Sequence, residues 1–154
     1  MISAALVKEL REITGAGMMD CKRALVETKG NMEEAVTWLR EKGIMKAAKK
    51  ESRIAAEGVC AYAIAGNKAV VYEVNAETDF VAKNQKFLDL VSEIGNAILK
   101  SDAKNDEEAL EAKTAEGTVK DLVIAATATI GEKISLRRIS VFTKTDNQVF
   151  GAYS

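Results

Sequence analysis

Asp79 and Phe80 are the most informative pair of neighbours in this sequence. They lie in Glu73-Val74-Asn75-Ala76-Glu77-Thr78-Asp79-Phe80-Val81-Ala82-Lys83-Asn84, after an apolar run and before a long amphipathic stretch, and so in a loop or single turn. Loop residues are usually polar, so a large aromatic beside a carboxylate is unusual there. One reading is an apolar anchor with a directing charge, made to enter a partner's groove. The other folds Phe80 back as a local core residue. Met18 and Met19 pose a similar choice. Adjacent helical residues cannot share a face, so one of the two should project outward. An exposed methionine suits adaptable contact with a partner, and the alternative is core packing. Lys46, Lys49, Lys50 and Arg53 recur at intervals of three, one and three. On a helix they make a basic stripe that could track phosphates, or simply a solvated face. No aromatic residues interleave with it for base stacking.

Catalytic chemistry has little to build on. Histidine is absent, which removes Ser–His and Cys–His pairs, imidazole bases and His-containing metal sites. Cys21 and Cys60 are too few and too far apart for a zinc cluster or a disulfide framework, and they fit a reducing, cytoplasmic compartment. The carboxylate pairs Glu33-Glu34 and Glu107-Glu108 fall on polar helix faces or in loops, with no apolar pocket to raise a pKa. Gly15-Ala16-Gly17 lacks the Gly-Lys-Ser/Thr ending of a phosphate loop and follows no strand, so it reads as an interhelical turn. No cofactor, metal site or enzymatic activity is expected. The 154 residues, 47% hydrophobic and 29% charged, suit one ordinary domain or two small ones. Lys plus Arg total 22 against 23 for Asp plus Glu, which disfavours a globally basic nucleic-acid binder. No apolar run approaches the ~20 residues that span a bilayer, so no membrane partner is expected. The opening residues carry charge too early, and too short an apolar core, for a secretion signal.

The elements that would position these residues are legible without proline, which is absent. Ile2, Leu6, Leu10 and Ile13 predict a helix from Ser3 to about Thr14. After the glycine turn a second helix holds Met18, Met19, Ala24 and Leu25 and stops at Gly30. Asn31 with Glu34 is a capping signal for a third helix, whose Met32, Ala35, Val36 and Leu39 share a face and which Gly43 ends. A helical stretch continues from Ile44 to Glu57. Val59 to Ile64 and Ala69 to Val74, joined by Gly66-Asn67, predict a β-hairpin. Thr78 can cap a short turn, and Asn84 the next helix, with Phe87, Val91, Ile94 and Ile98 on one face. Residues 101–108 read as a surface loop. Thr118 with Asp121 opens a helix through Ile130. Ile134 to Thr143 predicts a long strand whose alternation changes phase at Arg137-Arg138, which a β-bulge would reconcile. Val149 to Tyr153 predicts a final strand. The expected fold is α+β: a three-helix N-terminal domain, a connecting helix, and an antiparallel sheet covered by helices on one face.

Two long segments carry a family resemblance. Leu10-Arg11-Glu12-Ile13-Thr14-Gly15-Ala16-Gly17-Met18-Met19-Asp20-Cys21-Lys22-Arg23-Ala24-Leu25 resembles the N-terminal signature of bacterial elongation factor Ts, and Glu73 through Asn84 resembles its second signature. Ile130-Gly131-Glu132-Lys133-Ile134 is similar to a third familiar stretch. The resemblance implies a guanine-nucleotide exchange factor that promotes GDP release from the GTPase elongation factor Tu. Residues 1–43 would be the family's ubiquitin-associated-like domain, 44–57 a connecting basic helix, and 58–154 the first half of its α+β core. The family usually continues past Gly151-Ala152-Tyr153-Ser154, so the second core half is expected to be absent. Thr78, Asp79, Phe80 and Val81 match the segment that displaces the partner's Mg²⁺. The ubiquitin-associated-like domain that holds Met18 and Met19 would supply further partner contacts, as would Ile130. Direct nucleic-acid binding is not expected under this reading, and the oligomeric state is left open. The competing reading is a helical RNA- or ribosome-binding module that uses the basic stripe.

Overall fold

The computed structural model describes residues 2–154. In chain order the elements are α1 (Ala4–Thr14), α2 (Met18–Glu27), α3 (Met32–Glu41), α4 (Ile44–Ala48), β1 (Glu57–Ala65), β2 (Lys68–Ala76), α5 (Asp79–Ala82), α6 (Gln85–Lys100), α7 (Asp106–Leu110), β3 (Lys113–Thr114), β4 (Gly117–Thr118), α8 (Val119–Ile130) and β5 (Ser135–Thr143). They form two units. The first is the N-terminal stretch to Arg53 together with Ile124–Lys133, and the second is Ile54–Val123 with Ile134–Ser154.

The first unit packs α1, α2 and α3 around Leu10, Cys21, Leu25, Leu39 and Ile44, with Ile124 of α8 against the same cluster. Ser3 caps α1 by accepting from the Leu6 amide at 3.2 Å. The buried stripe of α1 is Val7, Leu10 and Thr14, and the expected Ile13 faces solvent instead. Thr14 is tolerated inside because its hydroxyl donates to the Leu10 carbonyl at 2.7 Å. Lys29 and Gly30 reverse the chain after α2 with φ of 52° and 88°, and the Gly30 amide closes onto the Leu25 carbonyl at 2.7 Å. Asn31 caps α3 as expected, accepting from the Glu34 amide at 3.2 Å.

The predicted helix over 44–57 is much shorter. α4 stops at Ala48, and tighter i→i−3 turns follow at Lys50, Glu51 and Arg53. Lys49-Lys50-Glu51-Ser52-Arg53 offers no apolar stripe to bury, and propensity alone does not sustain so short a helix.

In the second unit β1, β2 and β5 form an antiparallel sheet in the order β1-β2-β5. Gly66, at φ 56°, makes the predicted hairpin turn between β1 and β2. The bulge expected near the arginines is present: Glu73 pairs with Arg138 and Val74 with Leu136, which leaves Arg137 as the extra residue. Val70, Tyr72 and Val74 are buried on one face, beneath α6 with its buried Phe87, Leu90, Val91, Ile94 and Ile98. The opposite face leaves Tyr62, Ile64, Val71 and Phe142 exposed. Thr118 and Asp121 form the predicted reciprocal cap: the Asp121 amide donates to Thr118 Oγ1, and the Thr118 amide to Asp121 Oδ2, both at 3.2 Å.

Two expectations for this unit fail. The predicted loop at 101–108 runs into the short helix α7, capped by Asn105, which accepts from the Glu108 amide at 2.9 Å. Only Ala109 of that helix is buried, so no periodicity advertised it. Asp106, its first residue, accepts from the Ile139 amide of β5 at 2.7 Å, which satisfies an edge-strand donor. The expected strand at Val149–Tyr153 does not form. Val149 and Tyr153 are exposed, and the sheet offers this segment no ladder.

Helix α6 approaches the sheet closely at one place. A Cβ on Gly95 would lie 2.2 Å from Tyr72 Oη and 2.5 Å from Tyr72 Cζ. Tyr72 cannot simply swing away, because it is buried and its hydroxyl donates to the Val91 carbonyl at 2.8 Å. Gly95→Ala should therefore destabilise the protein by about 1–3 kcal/mol in thermal or urea unfolding. This outweighs the ~1 kcal/mol that alanine gains in helix propensity. In a Tyr72→Phe background the nearest clashing atom is gone, so the same substitution should cost less, and strict additivity would contradict this packing.

Candidate partner-binding surface

The second unit holds Thr78, Asp79, Phe80 and Val81 on the single turn α5, directly after β2. Thr78 has extended φ/ψ, and its Oγ1 accepts from the Val81 amide at 3.4 Å. The Ala82 amide donates to the Thr78 carbonyl at 3.2 Å, and the Lys83 amide to the Asp79 carbonyl at 3.1 Å. Ala82 is buried, and residues two apart on a helix point to opposite sides. Phe80 is thereby turned outward, 83% exposed. A ring left in water forgoes about 1.5–3 kcal/mol of burial free energy, which a partner's groove could recover.

The carboxylate beside the ring is held ionised. Lys83, one turn on, donates Nζ to Asp79 Oδ2 at 2.8 Å. That hydrogen bond and its charge hold the Asp79 carboxyl below its ordinary pKa and raise the Lys83 ammonium above its own. The turn thus presents an apolar ring, an anion and a cation within one helical turn.

Met18 and Met19 open α2 in the first unit and are 55% and 69% exposed, so both face outward rather than one. The core at that end is filled by Ala16, buried between the two glycines of the turn, and the buried face of α2 begins at Cys21. Val26, one heptad after Met19 and on the same helix face, is also exposed. Ile130 ends α8 and is half-buried, followed by Gly131 at φ 86°. The anticipated site residues thus divide between two groups, Met18, Met19 and Ile130 in the first unit and the α5 turn in the second.

Other candidate chemistry finds less support. Lys46, Lys49, Lys50 and Arg53 do not line one helix, because α4 ends before three of them. Among the described residues no group of three or more Cys, Asp or Glu side chains could hold a metal ion. A concavity of about 570 Å³ on the open sheet face is lined by residues such as Tyr62, Ile64, Val71 and Phe142, with no acidic or basic side chain. No helix of the described residues is long and apolar enough to cross a membrane.

One group escaped sequence reasoning. Glu73 meets Arg137 and Arg138 across the bulge, and Asn75 joins them. The signal was there, an acid alone in an apolar strand opposite the phase change that marked the bulge.

The Elongation factor TS family model matches residues 77–154, the part of the chain that carries the α5 turn. The chain is 60% identical to the elongation factor Ts of Acholeplasma laidlawii (strain PG-8A) over 153 residues, which is 99% of this chain and 52% of that protein. It is 59% identical to that of Streptococcus mutans, covering 44% of the relative, and 60% identical to that of Lactococcus lactis subsp. cremoris, covering 45%. The chain spans about half the length of the curated relatives it matches. It belongs to the elongation factor Ts family.

Proposed function

We propose that this chain acts in translation elongation as a guanine-nucleotide exchange factor that binds the GDP form of elongation factor Tu and displaces its Mg²⁺. The observation that carries this reading is the Phe80 ring, held out in water by an anchored turn beside an ionised carboxylate. Membership in the elongation factor Ts family supports elongation factor Tu as the partner. The cytoplasm, where translation runs, is the compartment this reading assigns.

The mechanism follows from what holds a nucleotide. A GTPase keeps GDP through a backbone cradle around the β-phosphate and a Mg²⁺ that neutralises its charge. Phe80 enters between the elements that position the Mg²⁺ ligands, with Thr78 and Val81 completing the wedge. Asp79 directs the approach. Displaced metal leaves the diphosphate charge uncompensated, and GDP departs. Factor and nucleotide then bind at each other's expense. One buried ring supplies only about 1.5–3 kcal/mol, roughly a 10- to 150-fold effect. Tighter competition requires further contacts, which Met18 and Met19 on α2 and Ile130 on α8 provide.

Phe80→Ala should reduce the factor-stimulated release of fluorescent GDP from elongation factor Tu by about 10- to 150-fold. Its thermal unfolding midpoint should hardly move, because the ring makes little use of its own fold. An unchanged release rate would contradict the wedge. Mg²⁺ and factor should also show equal reciprocal antagonism: the factor by which saturating Mg²⁺ weakens binding of the chain must match that by which the chain weakens Mg²⁺ binding. Calorimetric titrations that find the two independent would refute displacement. The Asp79–Lys83 pair also predicts a pH response. A carboxyl with a depressed pKa contributes stability above its ordinary pKa and loses it as pH falls through the depressed value. In a carboxyl-carbon NMR titration Asp79 should therefore have a midpoint below the ordinary aspartate value. Lys83→Met should return that midpoint towards normal.

A further inference from the structure

The end of the sheet from which the α5 turn emerges is tied by a network centred on Glu73. Its side chain is only 16% exposed and accepts from Arg137 Nη1 at 3.2 Å and Arg138 Nε at 2.7 Å. Consecutive strand residues normally point to opposite faces, and the bulge that leaves Arg137 unpaired in register lets both arginines reach one acid. Asn75, two residues on and buried, donates Nδ2 to Glu73 Oε1 at 3.0 Å and to the Glu57 carbonyl at the start of β1 at 3.1 Å. Next to Glu57, Gly58 lies at φ 149°, a conformation that turns its Cβ position into β2. A Cβ on Gly58 would lie 2.2 Å from the Val74 carbonyl oxygen and 2.7 Å from Asn75 Cα. β5, β2 and β1 are thus joined by side chains just before β2 runs out into Glu77 and Thr78, the cap of α5. α5 itself packs on the same two strands, β1 and β2.

We propose that Glu73 is a positioning residue for the Phe80-bearing turn, its clamp on Arg137, Arg138 and Asn75 fixing the direction in which β2 delivers α5. Charge-assisted bonds to two arginines make the acid hard to replace by a neutral side chain of the same shape. Most residues at the end of a sheet need only hold the strands together, whereas this group on the central strand also sets where an exposed ring points. The consequence for exchange rests on the function proposed above; the positioning itself does not.

The test uses the full 154-residue chain with Glu73→Gln, which keeps the side-chain length but removes the charge and one acceptor oxygen. Amide hydrogen exchange is followed by NMR at Ala82, Lys83 and Asn84, whose amides close the turn. A positioning role predicts exchange about tenfold faster at these amides, while α6 and the middle of β2 change less than about twofold. Arg137→Gln removes the longer of the two arginine contacts and should give a smaller loosening at the same amides, which keeps the test open if Glu73→Gln folds poorly. Exchange that rises evenly through the second unit, or stays unchanged at α5, would overturn the proposal, because the network would then only support the sheet. In GDP release from elongation factor Tu, Glu73→Gln should lower the maximal stimulated rate more than it weakens binding. A loosened turn with an unaltered rate, where Phe80→Ala does slow release, would also overturn it. If Phe80→Ala itself leaves release unchanged, the proposed function falls, and amide exchange alone decides the role of Glu73.

Discussion

A large aromatic ring stays in water only if its own backbone forbids it to turn inward. Here that constraint is one helical turn. Ala82 is buried against the sheet, and α-helical geometry then sends Phe80 to the other side. The Thr78 cap fixes where the turn starts, and Asn84 opens α6 immediately after it, accepting from the Lys86 amide at 2.9 Å. α6 in turn holds its place through Phe87, Val91, Ile94 and Ile98, and through the close approach of Gly95 to Tyr72. The outward ring is therefore a property of the packed sheet and helix rather than of a loose loop.

The same geometry accounts for the charges. Asp79 and Lys83 are four apart, so they meet on one face of the turn while Phe80 takes another. An acid held ionised beside an exposed ring makes a surface that is both charged and apolar. The separation of tasks continues in the first unit, where Ala16 fills the core and frees Met18 and Met19 to face outward.

Much of this was readable from the residues. Capping pairs such as Asn31 with Glu34 and Thr118 with Asp121 were visible, because a cap is a local contract between a side chain and an amide three residues away. The hairpin at Gly66 and the bulge at Arg137 were legible for similar reasons, a turn residue and a break in alternation. The α5 residues stand out in the sequence because an aromatic beside an acid is conspicuous in a short turn. What escaped was decided by partners distant in sequence. Ile13 yielded its place to Thr14, which could bring its own hydrogen bond to the Leu10 carbonyl into the core. The 44–57 helix ended early for want of a surface to bury. Helix α7 escaped because only Ala109 of its five residues is buried, and the bond from the Ile139 amide to Asp106, 33 positions away, is one that no local pattern announces.

If Phe80 is the wedge, its ring leaves water on meeting elongation factor Tu and returns when Mg²⁺ and GDP are restored. A fluorine at the para position of Phe80 reports this directly. On adding nucleotide-free elongation factor Tu, its resonance should shift and lose its sensitivity to exchange of H₂O for D₂O. Excess Mg²⁺ and GDP should then bring both properties back to those of the free chain. A resonance that keeps its position and its solvent sensitivity while the complex demonstrably forms would contradict the account.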